Sequence, residues 1–339
     1  MKIKQIIALI SLFILTVSCS NEVKNLSDLQ SNFYELQHNG LRLGDSLNVY
    51  FFKNQELVDS VELTWNGKSV SNHMVMDNAN TNLGVNELKI KVHLGSEFIT
   101  GETHVPILNS TKETSISYDV INEYPHPKEL FTQGFFYHDD KVYESSGHYG
   151  KSKIVTYHLG TTNFLQETKQ EAKVFSEGIS ILNGKLFLLT YKERKVLVYD
   201  AQTFELKEEI ALPNMVKEGW GMTTNGKELI VSDGTQNVFF FNEKFELQRK
   251  IQIAGYQSVY TYINELEFVN GKLFANVWTT NFILVIDPKT GAVEQFYDLT
   301  DLSESKGSDD VLNGIAVKGN QLLVTGKNWE KIYELPLPN

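Results

Sequence analysis

The chain has 339 residues and a formal net charge of −11, with 41% hydrophobic, 22% charged and 12% aromatic residues. This composition excludes a disordered or collagen-like chain. The acidic balance excludes nucleic acid as a partner, since phosphate binding needs concentrated lysine and arginine.

Lys2 and Lys4 give a basic start, Ile6 to Val17 form a short apolar run, and Ser18-Cys19 follows at once. These are the three regions of a secretory signal peptide, and the run is short for a membrane-spanning helix. Cys19 is the sole cysteine, so it forms no internal disulfide. Thr16-Val17-Ser18-Cys19 resembles a bacterial lipoprotein processing site, although such sites prefer Leu where Thr16 stands. The resemblance implies that residues 1–18 are removed and Cys19 is lipidated. The protein would then be exported and anchored through lipid to a membrane of the cell envelope, facing the periplasm or the exterior. Plain secretion is the alternative. More than one acyl chain is needed for stable anchoring. Loss of Lys2 and Lys4 takes the net charge to −13.

Residues 25–110 read as a small β domain. Leu47, Val49 and Phe51 alternate with polar neighbours, as do Val61 and Leu63 and then Leu88, Ile90 and Val92, and period two marks half-buried strands. Asn39-Gly40, Asn66-Gly67 and Leu83-Gly84 mark turns, of which Asn66-Gly67 is the strongest hairpin signal. Several short strands in so short a stretch predict an immunoglobulin-like β-sandwich. Trp65 beside the hairpin turn is read as a packing residue. Pro106 and the polar run from Asn109 to Thr114 mark the junction to a second domain, residues 114–339.

That second domain repeats itself. Val142, Leu186, Leu229, Leu273 and Leu322 each follow a turn, at spacings of 44, 43, 44 and 49 residues. Each copy carries an upstream strand (FTQGFFY, FSEGISI, GWGMTT, INELEFV, LNGIAV) and downstream strands such as KVLVYD, NVFFFN and FILVID. A period in the forties with short strands predicts a five-bladed β-propeller. The last copy lacks a fourth strand, and Ser115 to Ile121 form a spare strand before the first, so that segment is expected to close the ring. The polar stretch from Leu302 to Asp310 accounts for the longest interval and is either a surface loop or a partial lid.

In a propeller the first strand of each blade lines the central channel. Here the innermost segments are unusually polar, and a buried polar group is costly without a partner. Gln133, Glu177 and Asn264 therefore ask for a reason beyond folding. Glu177 stands among glycines that let a ligand approach. Burial near aromatics would raise its pKa towards neutrality and fit it for proton exchange; the alternative is a carboxylate tied up by backbone N–H groups or a channel cation. Phe131, Phe175, Trp220 and Trp278 can wall a small apolar pocket or can pack between blades. None of the eight histidines lies beyond His158, and no HExxH or cysteine pair occurs, so metal catalysis has little support. A calcium held by Asp, Asn and backbone oxygens stays open.

The stretches FTQGFFY, YESSGHYGKS, FSEGISILNGKLF, KEGWGMTTNGKELIVSDGT, INELEFVNGKLFANVW, DVLNGIAV and LLVTGKNWEKIYEL together resemble the plant and bacterial glutaminyl-peptide cyclotransferases. The resemblance covers about residues 120–337 and leaves 25–110 as an added module. It implies a five-bladed propeller that converts the N-terminal glutamine of peptides or proteins to pyroglutamate with release of ammonia, with no metal cofactor required. Carried onto this chain, it assigns Glu177 as the catalytic carboxylate and Phe131, Gln133, Trp220, Asn264, Trp278 and Lys327 as substrate-binding residues, to which the aromatic reading adds Phe175. Tyr191 stands where plant relatives carry Trp, which implies an altered pocket wall. A non-catalytic peptide-binding propeller and a metal-dependent lactonase are the other readings.

Overall fold

The computed structural model describes residues 23–303, 307 and 309–338; Cys19 and the signal segment lie outside them. Among the described residues the fold is all-β, apart from the helices Leu26–Leu29 and Phe33–Asn39 and two short 3-10 turns, and six sheets are formed.

The first is the five-stranded sheet of the N-terminal module, from Leu41–Arg42 to Glu97–Leu108. Its hairpin turns at Asn66-Gly67, both with positive φ, as the dipeptide predicts. Trp65 is a core residue whose indole N–H donates to Thr81 at 3.1 Å. The second sheet that a sandwich requires has no counterpart among the described residues. Leu47, Val49 and Phe51 are buried, but their segment is held by single bridges and not by a ladder. With the two helices it covers the apolar face. Asn25 caps the first helix and Asp28 returns the bond to its backbone, a local signal that outweighs strand periodicity there. Asn39-Gly40, expected as a turn, ends the second helix.

The remaining strands form five consecutive sheets, I to V, whose first strands are Thr132–His138, Ser176–Leu182, Met222–Thr224, Ile263–Val269 and Leu312–Lys318. Each first strand packs against the next, and that of sheet V packs against that of sheet I. Five apolar clusters fill the spaces between neighbouring sheets. Strand Leu229–Ser232 shows how the sequence builds them. Leu229 and Val231 join the cluster shared with sheet II, while Ile230 joins the one shared with sheet IV. Alternate side chains leave opposite faces of a strand, so an unbroken apolar run serves two neighbours.

Ring closure differs from expectation. Asn122–Pro125, not Ser115 to Ile121, pairs with Lys331–Pro336 of sheet V. Thr114–Ser115 instead lies parallel to the outer strand of sheet IV. Between them Ile116 and Tyr118 pack on the cluster of sheets IV and V, and single backbone bonds from Ile116 to Phe296 and from Ile121 to Glu334 fix the two ends without a continuous ladder. Just beyond the closing strand, His126 donates from Nδ1 to the Trp329 carbonyl (2.8 Å) and faces the Glu144 carboxylate with Nε2 (3.1 Å). Thr132 and Tyr157 also donate to Glu144, at 2.7 and 2.8 Å. Glu144 is fully buried and joins the closing segment to sheet I.

Glu144→Ala would strip three buried groups of their acceptor. We expect a loss of about 3–5 kcal/mol of unfolding free energy, measured by urea denaturation; a loss below about 1 kcal/mol would show that closure does not depend on this carboxylate.

Candidate active site

In each sheet the first and second strands run antiparallel, so the start of the first and the end of the second meet at one end of the ring. Phe131, Gln133, Phe175, Glu177, Trp220 and Asn264 stand at or just before the starts of first strands. Tyr191, Trp278 and Lys327 follow directly on second strands. All nine line one cavity of about 200 Å³, together with Asp309.

Local irregularity aims the polar members. The ladder between first and second strands slips between Thr132 and Gly134, Ser176 and Ile179, Ile263 and Leu266, and Leu312 and Ile315. Gln133, Glu177, Asn264 and Asn313 sit inside these four bulges. A bulge frees a residue from the ladder and re-aims its side chain. Glycines permit the crowding that results. A Cβ on Gly178 would strike the Met222 nitrogen, and one on Gly221 the Asn264 carbonyl. Sheet IV carries Glu265 where the other four sheets carry Gly134, Gly178, Gly221 and Gly314. Its carboxylate accepts from the backbone N–H of Ile315 (2.8 Å) and Phe135 (3.4 Å), tying sheets V and I at the centre.

The walls are aromatic. Trp220 and Trp278 meet edge to face with centroids 5.7 Å apart. Phe175 packs near Phe131, Tyr191 and Tyr149 at 6.5, 5.6 and 5.4 Å. Trp220 donates from its indole N–H to Glu218 at 3.2 Å, and a Cβ on Gly234 would collide with its ring. The two tryptophans, Phe175 and Tyr191 are half-buried, whereas Gln133, Glu177 and Asn264 are each 4% exposed or less.

Charge is concentrated on two side chains. Burial pushes the Glu177 carboxyl well above the usual carboxylate range, opposed by the positive charge of Lys327 and reinforced by Glu218 and Glu193. Burial lowers the Lys327 ammonium to about 8, opposed by Glu177 and Asp309. The Lys327 Nζ lies 4.7 Å from the Phe131 ring centroid, a cation–π contact. The Oδ1 of Asn264 is buried without a hydrogen-bond partner among the described residues. An unmet buried acceptor costs about 1–3 kcal/mol, which a donor on a bound ligand offsets.

The structure thus brings together every cavity residue expected from the sequence. Asp309 is not among them; its stretch reads in the sequence as a polar insertion, a surface loop or a partial lid, and nothing local marks this acid. Glu193 and Glu218, which act on Glu177 from outside the cavity lining, were also missed. The exposed Tyr262, 5.9 Å from the Trp278 ring, lacks any motif of its own. Among the described residues, no three His, Cys, Asp or Glu side chains come together to hold a metal.

A buried carboxyl raised above its usual range, an amine lowered to about 8 and an amide oxygen without a partner among the described residues thus lie together inside an aromatic hollow. The family profile described as Glutamine cyclotransferase matches residues 94–337. The chain is similar to the Glutaminyl-peptide cyclotransferase of Arabidopsis thaliana, at 34% identity over 228 residues, covering 65% of this chain and 71% of the plant protein. It is also similar to the crystal structure of the glutaminyl cyclase of Myxococcus xanthus, at 28% identity and a TM-score of 0.61, covering 67% of this chain and 100% of the other. The chain belongs to the glutamine cyclotransferase family.

Proposed function

We propose that this protein cyclises the N-terminal glutamine of peptides or proteins to pyroglutamate and releases ammonia, in a five-bladed propeller formed by residues 114–339. The observation that carries the reading is Glu177: a buried acid with a raised pKa, inside an aromatic cavity, in a chain of this family. The cyclic packing of five inner strands supports the propeller. Residues 25–110 form an accessory β module, of which the five-stranded sheet is the part that a sandwich would share.

The reaction is an intramolecular acyl transfer. The substrate already holds nucleophile and electrophile in one residue, so the enzyme has to keep the side chain curled. Phe131, Phe175, Tyr191, Trp220 and Trp278 supply the walls for that. The neutral α-amine attacks the side-chain amide carbon, forming the ring C–N bond. Glu177 takes the proton shed by the attacking nitrogen and returns it to the amide nitrogen. The C–N bond to that nitrogen breaks, ammonia leaves, and the carbonyl re-forms. Asn264 Oδ1 accepts from the amide N–H of the substrate, Gln133 orients the same group, and the Lys327 ammonium stabilises the developing oxyanion.

Glu177→Gln is expected to leave the fold intact and lower kcat by roughly 10²–10⁴ in an ammonia-release assay on a Gln-initiated peptide. A rate within about threefold of wild type would remove Glu177 from the mechanism. No metal takes part in this scheme, so a chelator should leave the wild-type rate unchanged; a fall in melting temperature alone would reveal a structural calcium.

The pH profile follows from the two shifted groups. On the acid side kcat/KM rises as Glu177 and the substrate amine, with a reference pKa of about 7.7–8.0, lose their protons. On the alkaline side it falls as Lys327 loses its charge near pH 8. Lys327→Arg keeps the charge to pKa values above about 12, so its alkaline limb should vanish up to pH ~10. An unmoved limb would assign it to another group.

We further propose that the chain is exported and held on a bacterial membrane through lipid on Cys19. Cys19→Ser should shift the protein from the membrane fraction to the soluble fraction and abolish labelling by a fatty-acid probe; unchanged membrane retention would refute the anchor.

A further inference from the structure

The loop of residues 253–262 joins the outer strand of sheet III, Leu247–Gln252, to the first strand of sheet IV. Its far end builds the cavity. Tyr262, with φ of 62°, donates its N–H to the Gly234 carbonyl (3.0 Å) and accepts from the Trp278 N–H (2.9 Å). Its ring packs near that of Trp278, and Asn264 follows two residues on. Trp278 and Asn264 both line the cavity.

The near end of the loop is gripped by the N-terminal module and the junction. Ala254 is fully buried in the hydrophobic core of the module, with Val259 packed beside it. Arg42 donates to the Tyr256 carbonyl and lays its guanidinium 3.8 Å from the centre of the Tyr256 ring. The Glu113 carboxylate accepts from the Tyr256 N–H (3.0 Å) and the Tyr260 hydroxyl (3.1 Å). The Asn109 N–H donates to the Gly255 carbonyl at 2.9 Å. Just before the loop, the Gln252 amide pairs with both backbone groups of Val85, at 2.9 and 3.0 Å. The ring holds the start of the loop through backbone bonds of Ile253 to Gln236 and of Ala254 to Gly291 and Val293; from Gly255 to Tyr260 the loop has only two backbone bonds of its own and no sheet ladder. Between its two backbone-held ends, such a segment takes much of its conformation from the side chains that grip it.

We propose that the N-terminal module braces the cavity: Arg42 and Glu113 are positioning residues that fix the 253–262 loop, and through it the wall formed by Tyr262 and Trp278. The proposal rests on the cyclisation reading for its kinetic consequence. It gives the added module a part in substrate binding although its residues touch no substrate. The chemistry at Glu177 lies on sheet II, away from this loop, so loosening the brace should weaken binding and spare the proton transfer.

The test uses the full chain carrying Arg42→Ala with Glu113→Gln, and Arg42→Lys alone as the conservative variant. For a Gln-initiated peptide, KM should rise about fivefold or more in the double variant with kcat within about twofold, and Arg42→Lys should recover part of the loss. A second readout needs no turnover. Trp65 and Trp329 are each 1% exposed, whereas Trp220 and Trp278 are half-buried, so acrylamide quenching of tryptophan fluorescence reports chiefly on the cavity wall. Quenching should rise in the folded double variant. An unchanged KM together with unchanged quenching, even with a lowered melting temperature, would overturn the brace and leave a merely structural contact. If the wild type turns over no Gln-peptide, the cyclisation reading falls, and the quenching comparison alone decides the brace.

Discussion

Five strands crowded about one axis leave no room for ordinary side chains where their backbones meet, and the site depends on how that crowding is relieved. Gly178 and Gly221 let neighbouring backbones approach to within the space a Cβ would fill. A regular pleat would then turn Glu177 into an inter-sheet cluster or back into its ladder. The bulges between Ser176 and Ile179 and at the matching places in three other sheets avoid both outcomes. They spend one residue of each ladder to turn a polar side chain along the axis. Folding and chemistry therefore share one device: the irregularity that lets the strands converge also presents the acid.

The buried acids around the axis show why Glu177 is singled out. Burial raises Glu265, Glu267 and Glu177 alike. Glu265 is held by backbone N–H groups of sheets I and V. Glu267, pushed up to about 8, accepts from Thr223 at 3.0 Å. Hydrogen bonds of this kind fix a carboxylate in place and oppose the effect of burial. Among the described residues nothing comparable holds the Glu177 carboxylate, whose main opposing influence is the charge of Lys327. A carboxyl and an amine that burial drives towards neutrality, each restored by the other's charge, can exchange protons with a guest at little cost. The two acids with firm partners tie strands together, and the one without is the acid proposed above to move the proton.

Much of this was legible in the sequence because the repeat imposes it. Once Val142, Leu186, Leu229, Leu273 and Leu322 are aligned, the polar residues preceding each one fall at one end of the ring by geometry alone. Family resemblance added Tyr191 and Lys327, which, like Trp278, follow directly on second strands. What failed was whatever depends on local competition. Ser115 to Ile121 has strand-like alternation, yet Asn122–Pro125 takes the ladder with sheet V, while Ile116 and Tyr118 pack across the seam of sheets IV and V. In the module, the alternation of Leu47, Val49 and Phe51 correctly marked burial but not pairing. Asp309 could not be found, since an acid in a polar stretch looks like any other until the chain path is known.

The size of the cavity carries a consequence for specificity. A hollow of about 200 Å³ accommodates one amino-acid side chain with its amine, and the rest of a peptide must remain outside. Contacts within can then select the first residue of a substrate but say nothing about the second. Discrimination among Gln-initiated peptides then falls to the rim, where Tyr149 beside Phe175 and Tyr262 beside Trp278 stand half exposed. Tyr149 is anchored to Glu193 by its hydroxyl at 2.9 Å, whereas Tyr262 is held by its backbone and by the loop that carries it. The brace proposed for Arg42 therefore bears on the Tyr262 side of this rim, through the Tyr256 carbonyl and ring, and not on Glu177 of sheet II.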